Sequence, residues 1–269
     1  METVFLVGLF ILGACFGSFL CCQARRLRIK DKHGKKSVKK LGSRSVCLHC
    51  KAKLKWYDNI PIISWLILAG KCRSCHRKIG WLEFLSEIGL AASFVAIGTT
   101  ININSADCIT WIVFIITLLF TLVLAFLAIY DGAYGELPLL HLILATVLAF
   151  IISIIKQSVI LLQVGFTPSI YINPLGSVAI LGGLYLLLYL ISKGKWVGDG
   201  DWLLGAAIGL ALSNPWLALT ALFISNLLAC IVMLPFVIRR KNKQIYFGPF
   251  MAIAFVITVS FSGLLISLI

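Results

Sequence analysis

The chain has 269 residues, of which 60% are hydrophobic and only 13% are charged. This composition excludes an ordinary soluble globular domain and is typical of a membrane protein with several spans. The formal net charge is +14, but the basic residues border apolar segments, so the charge indicates topology and contact with an anionic leaflet, not nucleic-acid binding.

Apolar segments of spanning length follow one another along the chain. The sequence therefore predicts an all-α polytopic membrane protein with about eight transmembrane helices. The sixth segment is short and Pro215 separates it from the seventh, so we expect it to be tilted or to begin inside the membrane. The predicted spans are 3–22, 84–101, 109–130, 138–155, 174–192, 202–213, 215–237 and 248–268.

The first apolar segment predicts a retained span and not a cleaved signal peptide, because its charges follow the apolar run instead of preceding it. Of the 24 Lys and Arg residues, 17 lie between Gln23 and Leu82, 6 lie in two further loops, and only Lys156 falls on the other side. This distribution places the N-terminus outside and the basic loops in the cytoplasm. The predicted divisions are a first transmembrane span at 1–22, a basic cytoplasmic loop at 23–83 and a transmembrane core at 84–269.

Two Cys-x-x-Cys motifs, "CLHC" and "CRSC", lie in the predicted cytoplasmic loop. Two such knuckles can place four thiolates tetrahedrally around a structural Zn²⁺, and structural disulfides are disfavoured in the cytoplasm. A zinc-ribbon-like loop is therefore the favoured interpretation, with structural thiols or a redox pair as alternatives. The neighbouring His49 and His76 are possible substitutes for a thiolate, although a solvated position suits them better. The predicted metal ligands are Cys47, Cys50, Cys72 and Cys75.

The segment between the knuckles, "KWYDNIPIISWLILAGK", is aromatic and apolar. It either lies at the membrane interface, with Trp56, Tyr57 and Trp65 at headgroup depth, or forms the small core of the cysteine loop. The two interpretations are compatible.

Two aspartates border predicted spans on the cytoplasmic side. Asp131, in "AIYDGAYGELP", directly follows the third span, and Asp201, in "VGDGDWLLGAAIGL", directly precedes the sixth. The topology lets these two side chains meet, whereas Asp107 is expected at the opposite membrane face. At a partly desolvated site two carboxylates do not both ionise cheaply, so one can take a proton from water while the other polarises a carbonyl.

Two glycines precede Asp201, and the two aspartates also allow other interpretations. Gly198 and Gly200 permit backbone geometries and close substrate approach that other residues resist. Asp201 could also be only a helix N-cap, and Asp131 only an interfacial loop residue. A proton-coupled transporter uses membrane carboxylates too, whereas a membrane-anchored zinc scaffold would depend on the cysteines and tolerate loss of both aspartates.

Taken together, the motifs resemble the bacterial type IV prepilin leader peptidase/N-methyltransferases, a family within the wider group of Gly-x-Gly-Asp intramembrane aspartyl proteases. The resemblance extends from Gly13 to Ala254. It rests on the stretches "GACFGSFLCCQARRL", "SRSVCLHC", "WYDNIPIISWLILAGKCRSC", "VGDGDWLLGAAIGL" and "FGPFMAIA".

The resemblance implies a multi-pass aspartic endopeptidase of the bacterial cytoplasmic (plasma) membrane, with its active site facing the cytoplasm. Members cleave basic leaders from type IV prepilin-like and pseudopilin precursors, typically after a glycine. By the family motif Asp131 and Asp201 are the catalytic pair, and Asp199 occupies a variable position. Many members then methylate the new N-terminal residue, often Phe, with S-adenosylmethionine. The precursors serve pili, secretion or DNA uptake.

Four residues are predicted to bind the substrate: Glu83 and Glu87, which flank the second span and could receive the leader's Lys or Arg, and Gly198 and Gly200. The chain departs from the family where Cys21 and Cys22 follow "GSFL", since Asn-Val is usual there. No Gly-rich nucleotide loop is recognisable, so the methyl-donor site has no candidate residues in the sequence.

Overall fold

The computed structural model describes residues 2–33, 46–47, 49–50, 52–103, 106–194, 197–238 and 246–267, with the backbone alone at 31–33, 236–238 and 266. Within these ranges the regular elements are helices. The β-structure of the described residues consists of two isolated antiparallel β-bridges in the cysteine loop. The predicted all-α class is confirmed. Lys195, the basic cluster 239–243 and part of the basic stretch before the first knuckle lie outside the described residues.

Six helices of the described chain are long and apolar enough to cross a membrane, and two shorter helices are also apolar. Together they correspond to the eight predicted segments. The long ones are α1 (Glu2–His33), α3 (Trp81–Gly98), α4 (Cys108–Tyr134), α5 (Leu139–Val164), a composite helix spanning Ser169–Ser192, and α9 (Pro215–Ile238). The short ones are α8 (Asp201–Leu212) and α10 (Gly248–Ser260).

The composite helix consists of α6 (Ser169–Val178), a π-helical segment (Ala179–Gly183) and α7 (Leu184–Ser192). Three short elements complete the described structure: a 3₁₀ turn (Trp56–Asn59), α2 (Ile63–Ile67) and α11 (Ser262–Ser267). Several helices run beyond their predicted bounds. In particular, α4 continues to Tyr134, so Asp131 lies in the last turns of the helix and not in the loop after it.

The chain forms two compact units, Met1–Val95 and Ala96–Ile269, and the boundary falls inside α3. The predicted divisions at 22/23 and 83/84 follow the expected sides of the membrane, and they stay predictions. In the smaller unit, α1 and α3 pack closely because α1 presents glycines. A Cβ atom on Gly13 would lie 2.7 Å from the Cα atom of Ala91, and one on Gly17 would lie 2.5 Å from the carbonyl oxygen of Ser86.

The cysteine loop has its own small aromatic core. Trp65 stacks on Phe84 with a centroid distance of 4.3 Å and lies 4.8 Å from Trp81. Trp56, by contrast, is 80% exposed. Most of the apolar side chains of α2 are also exposed, by between 54% and 74%. The interpretation of the segment as a loop core therefore applies to Trp65, and the interfacial position of Trp56 stays a prediction.

In the larger unit α8 is the central helix, packed by α5, the composite helix, α9 and α10. Two glycines allow this close packing. A Cβ atom on Gly209 would lie 2.4 Å from the carbonyl oxygen of Ser177, and one on Gly205 would lie 3.0 Å from that of Leu181. Because small residues let helix backbones approach, the composite helix can lie directly against α8.

The C-terminal end of α8 is capped by side chains. Its 12 residues span about 18 Å, less than the hydrocarbon thickness of about 30 Å, so one end must lie at membrane depth. Carbonyl groups at such an end need partners. The Nζ atom of Lys156 donates to the carbonyl of Ala211 (2.8 Å), and the hydroxyl of Ser213 donates to that of Leu210 (2.6 Å). Ser153 on α5 lies 2.9 Å from the Ser213 hydroxyl.

We expect Lys156→Met to lower the free energy of unfolding by about 2 kcal/mol, because it removes a cation from a partly buried helix C-terminus. Lys156→Arg should restore much of this loss. The measurement is the thermal unfolding midpoint of the purified protein in detergent, with Lys193→Met, which removes an exposed lysine, as the control. Equal midpoints for Lys156→Met and Lys193→Met would contradict the capping role.

Candidate functional site

Asp131 is held at the end of α4 by its backbone and its side chain. The helix ends because Gly135 adopts the left-handed conformation (φ 68°) and donates its N–H to the carbonyl of Asp131 at 2.7 Å. The carboxylate is 5% exposed, and its Oδ2 atom accepts the N–H of Gly248 at 2.8 Å. A buried carboxylate is thus anchored by a backbone donor from a helix far along the chain.

Gly248 is the first residue of α10, so the positive end of that helix points at Asp131. Only glycine fits there, because a Cβ atom would lie 2.8 Å from the Asp131 Oδ2 atom. The N-terminus of α10 is held on the end of α4 by a second close approach. The ring of Tyr246 lies directly against Gly135: a Cβ atom on Gly135 would be 2.4 Å from the Cε1 atom of Tyr246.

Asp201 is the first residue of α8, and Gly200 is the N-cap residue, so the alternative that Asp201 only caps the helix is not what the structure shows. Its carboxylate is buried and the Oδ2 atom accepts the N–H of Gly198 at 2.9 Å. Asp199 lies in the same turn but is exposed. In this turn the Asp201 carboxylate therefore faces the interior, and the Asp199 carboxylate faces outward.

The two glycines of this turn serve close packing. Neither has a positive φ, so the unusual backbone geometry that the sequence suggested is not needed. A Cβ atom on Gly200 would lie 2.8 Å from the Cδ1 atom of Leu137, and one on Gly198 would lie 3.1 Å from the Asp201 Oδ2 atom. Glycine at position 200 lets the turn lie against the loop that follows Asp131, and glycine at position 198 leaves room for the Asp201 carboxylate.

The structure brings Asp131 and Asp201 to the same end of the larger unit, where the turn before Asp201 packs on the loop that follows Asp131. Within the described residues each carboxylate bonds a backbone N–H through Oδ2, and Oδ1 has no partner. Asp107 caps the opposite end of α4, where its side chain accepts the N–H of Thr110, about 35 Å away along the helix. The arrangement leaves two carboxylate oxygens to meet a water and a carbonyl group.

A buried polar network beside the aspartates was not found from the sequence. Tyr185 is 2% exposed. Its hydroxyl lies 3.3 Å from that of Ser225 and accepts the side-chain N–H of Asn226 at 3.2 Å, and its ring packs on Phe247 at 5.5 Å. The available signal was the occurrence of polar residues inside predicted spans, which are expensive at membrane depth unless they are paired.

In the smaller unit the four predicted metal ligands form one cluster, with all Sγ atoms within 4.8 Å of one another. The Sγ atoms of Cys47 and Cys75 are 3.9 Å apart, close to the separation of about 3.8 Å that follows from tetrahedral Zn–S bonds of about 2.3 Å. Each knuckle is closed by a β-bridge, Val46 with Lys53 and Lys71 with Lys78. Two similar hairpins therefore supply two thiols each to the cluster.

Two of the clustered thiols, those of Cys47 and Cys50, have pKa values shifted in opposite directions. Backbone N–H groups, first that of Cys50, lower the pKa of Cys47 to about 6. For Cys50 the backbone N–H of Ala52 lowers the pKa, but desolvation and the neighbouring thiols outweigh it and raise the pKa to about 11. A Zn²⁺ ion bound by the cluster would stabilise the thiolate form of its ligands. His49 instead contacts Arg77 (3.2 Å), and His76 is exposed, so neither belongs to the cluster.

The predicted substrate-binding carboxylates of the smaller unit both have internal partners. Glu83 forms an ion pair with Arg25. Glu87 is 7% exposed, and its Oε2 atom accepts the N–H of Ile62 at 2.7 Å. This bond holds Ile62 at a φ of 64°, which is unusual for a β-branched residue. Glu87 therefore anchors the cysteine loop to α3.

Comparisons with known proteins place these features in a family. Residues 11–101 match the family model described as Bacterial Peptidase A24 N-terminal domain. The chain is 30% identical to the Prepilin leader peptidase/N-methyltransferase of Dichelobacter nodosus over 281 residues, covering 93% of this chain and 89% of the relative. It is 30% identical to that of Aeromonas hydrophila over 220 residues (78% and 69%), and 42% identical to that of Myxococcus xanthus over 93 residues (35% and 26%). No solved structure matches the chain significantly.

We expect Gly248→Ala to lower the free energy of unfolding by about 1–3 kcal/mol, because the new Cβ atom would collide with the Asp131 carboxylate. The control is Gly89→Ala in α3, where a Cβ atom would have no neighbour within 4 Å. Thermal unfolding of the purified proteins in detergent measures both changes. An unchanged midpoint for Gly248→Ala would show that α10 is not fixed against Asp131 as described.

Proposed function

We propose that this chain, which belongs to the prepilin leader peptidase/N-methyltransferase family, cleaves the leader from prepilin-like precursors and methylates the new N-terminal residue. It is a multi-pass membrane enzyme. The observation that supports the peptidase chemistry most strongly is the pair of buried carboxylates, Asp131 and Asp201, each fixed by one backbone N–H. The names of the relatives give no support to the alternative of a proton-coupled transporter.

The proposed reaction uses one ionised and one protonated aspartate of this pair. The ionised carboxylate takes a proton from a water molecule, whose oxygen attacks the carbonyl carbon of the leader junction, while the protonated carboxyl donates to the carbonyl oxygen. The resulting gem-diol collapses as a proton passes to the amide nitrogen and the C–N bond breaks. The products are a leader with a carboxylate end and a mature protein with a free amine.

The substrates follow from the family and from the charge distribution. We propose basic leaders that end in glycine, on type IV prepilin-like or pseudopilin precursors whose apolar helix enters the bilayer beside the enzyme. The bacterial cytoplasmic membrane, with the aspartates facing the cytoplasm, suits the concentration of Lys and Arg between Gln23 and Leu82. We also propose that Gly198 and Gly200, next to Asp201 in the sequence, border the scissile segment.

A role for Glu83 and Glu87 in receiving the basic leader stays a prediction. Each carboxylate would have to exchange a present partner, Arg25 or the N–H of Ile62, for the leader's cation.

We propose a metal ion and a cofactor as well. The four clustered cysteines hold a structural Zn²⁺. S-adenosylmethionine supplies the methyl group for the second reaction.

We expect Asp131→Asn and Asp201→Asn each to lower the rate of leader cleavage roughly 10²–10⁴-fold, because each removes an acid–base group. The experiment co-expresses each variant with a precursor whose basic leader ends in Gly before Phe, and measures the intact mass of the product. Loss of the leader shows cleavage, and a further gain of about one methyl group shows methylation.

The matched control is Asp199→Asn, which changes an exposed aspartate of the same turn and should cleave like the wild type. If Asp199→Asn were as inactive as Asp201→Asn, the assignment of Asp201 would be wrong. If the wild type left several such precursors intact, the peptidase proposal itself would fail.

We expect the purified protein to contain one zinc ion per chain and Cys72→Ser to lose most of it, because Cys72 is the buried member of the cluster. Elemental analysis after dialysis measures the metal content. Cys108→Ser, which changes an exposed cysteine outside the cluster, is the control and should keep the metal. Equal zinc contents in the two variants would rule out the four-cysteine site.

A further inference from the structure

Tyr185 lies in α7, the last part of the composite helix, and its side chain is buried inside the larger unit. A phenol hydroxyl inside a membrane-spanning helix is costly unless it is paired. The composite helix packs directly on α8, the helix that begins at Asp201, since a Cβ atom on Gly182 would lie 2.7 Å from the Cβ atom of Ala206. Tyr185 therefore belongs to a helix whose position is set against the helix of one catalytic aspartate.

The hydroxyl of Tyr185 is held by two residues of α9. Asn226 donates a side-chain N–H to it at 3.2 Å and another to the carbonyl of Leu222 at 2.8 Å. The hydroxyl of Ser225, 3.3 Å from that of Tyr185, donates its single hydrogen to the same carbonyl at 2.9 Å. Ser225 can therefore only accept from Tyr185, so the phenol both donates and accepts. This pairing fixes the position of the ring, because a shift would break both bonds.

The ring of Tyr185 meets α10 at its first turn. It packs edge-to-face on Phe247, with a centroid distance of 5.5 Å and an interplanar angle of 62°. Phe247 is the N-cap residue of α10, and its carbonyl accepts two N–H groups of the first turn. The next residue, Gly248, donates its N–H to the carboxylate of Asp131 at 2.8 Å. One peptide bond thus separates the residue that Tyr185 contacts from the donor that anchors Asp131.

The neighbours of Phe247 contact the opposite side, the end of α4. The ring of Tyr246 lies against Gly135, and the Cγ atom of Pro249 would lie 3.5 Å from a Cβ atom on Gly132. The first turn of α10 is therefore held between α4, which carries Asp131, and the composite helix, which packs on the helix of Asp201. Tyr185 supplies the contact on the side of the composite helix. A change at Tyr185 would alter how the two aspartate-bearing helices are spaced.

We propose that Tyr185 is a positioning residue of the cleavage reaction. Through Phe247 it holds the first turn of α10 so that the Gly248 N–H stays on the Asp131 carboxylate. The inference rests on the proposed peptidase function, in which the two aspartates must meet one water molecule and one carbonyl group. A misplacement of about 1 Å caused by a residue far from the chemistry can cost about 100-fold in rate, so a small shift of α10 is enough.

The first measurement is hydrogen–deuterium exchange of the full-length protein in detergent, read by mass spectrometry on peptides that cover the first turn of α10. Tyr185→Leu removes the hydroxyl and the aromatic contact with Phe247, so we expect exchange of this turn to become roughly tenfold faster. Tyr185→Phe keeps the ring and should give a smaller increase. The matched control is Tyr171→Phe, which removes an exposed hydroxyl from the other end of the composite helix and should exchange like the wild type.

The second measurement is single-turnover leader cleavage at a series of enzyme concentrations, which separates the maximal rate from the half-saturating concentration. We expect the maximal rate to fall roughly tenfold in Tyr185→Phe and roughly 100-fold in Tyr185→Leu. The half-saturating concentration should stay within about twofold of the wild type, because the precursor's binding contacts are unchanged. Phe247→Leu should resemble Tyr185→Leu, and the double variant should lie within about threefold of the slower single variant, because both residues act through one contact.

Unchanged exchange of the α10 turn in Tyr185→Leu would overturn the inference, because Tyr185 would then not hold the helix. Faster exchange with a maximal cleavage rate within about twofold of the wild type would also overturn it and leave Tyr185 a purely structural residue. Failure of the wild type to cleave several precursors would instead overturn the proposed function, and with it the catalytic part of this inference. The exchange measurement would still decide whether Tyr185 holds α10.

Discussion

The larger unit depends on a short helix whose backbone ends at membrane depth. With 12 residues, α8 is too short to cross the bilayer, so one of its ends lies at membrane depth and needs hydrogen-bond partners from the protein. At one end Lys156 and Ser213 satisfy the carbonyl groups, and at the other the turn Gly198–Asp201 closes on its own carboxylate. Because neighbouring helices enclose α8, its position is fixed along its whole length. Asp201 is consequently held at one depth in the bundle.

The same rule accounts for Asp131. A carboxylate in a water-poor site is stabilised by donors whose positions are already fixed, and the N–H of Gly248 at the start of α10 is such a donor. At both anchoring positions a glycine leaves room for the carboxylate oxygen, and the approach is closest at Gly248, where a Cβ atom would lie 2.8 Å from Oδ2 of Asp131. The two aspartates therefore keep one oxygen each for anchoring and one for chemistry. Their different backbone partners make the site rigid without a salt bridge to either aspartate among the described residues.

Much of this organisation could be predicted from the sequence, because hydropathy and charge fix the spans and their directions. That logic put Asp131 and Asp201 at one end of the bundle and Asp107 at the other, and Cys-x-x-Cys spacing identified the thiol cluster. Gly248, Tyr185 and Lys156 could not be found in this way. Their roles arise from contacts between helices, such as the Gly248–Asp131 bond across 117 positions, and no local pattern encodes them.

The central claim is that Asp131 and Asp201 act as one catalytic unit. The most direct test compares leader cleavage by Asp131→Asn, Asp201→Asn and the double variant under single-turnover conditions, with enzyme in excess and products measured by mass spectrometry. Residues that act as a unit have strongly non-additive effects, so the double variant should cleave within about threefold of the slower single variant. A double variant slower by the product of the two single effects would show that the aspartates act independently, and would contradict the shared site.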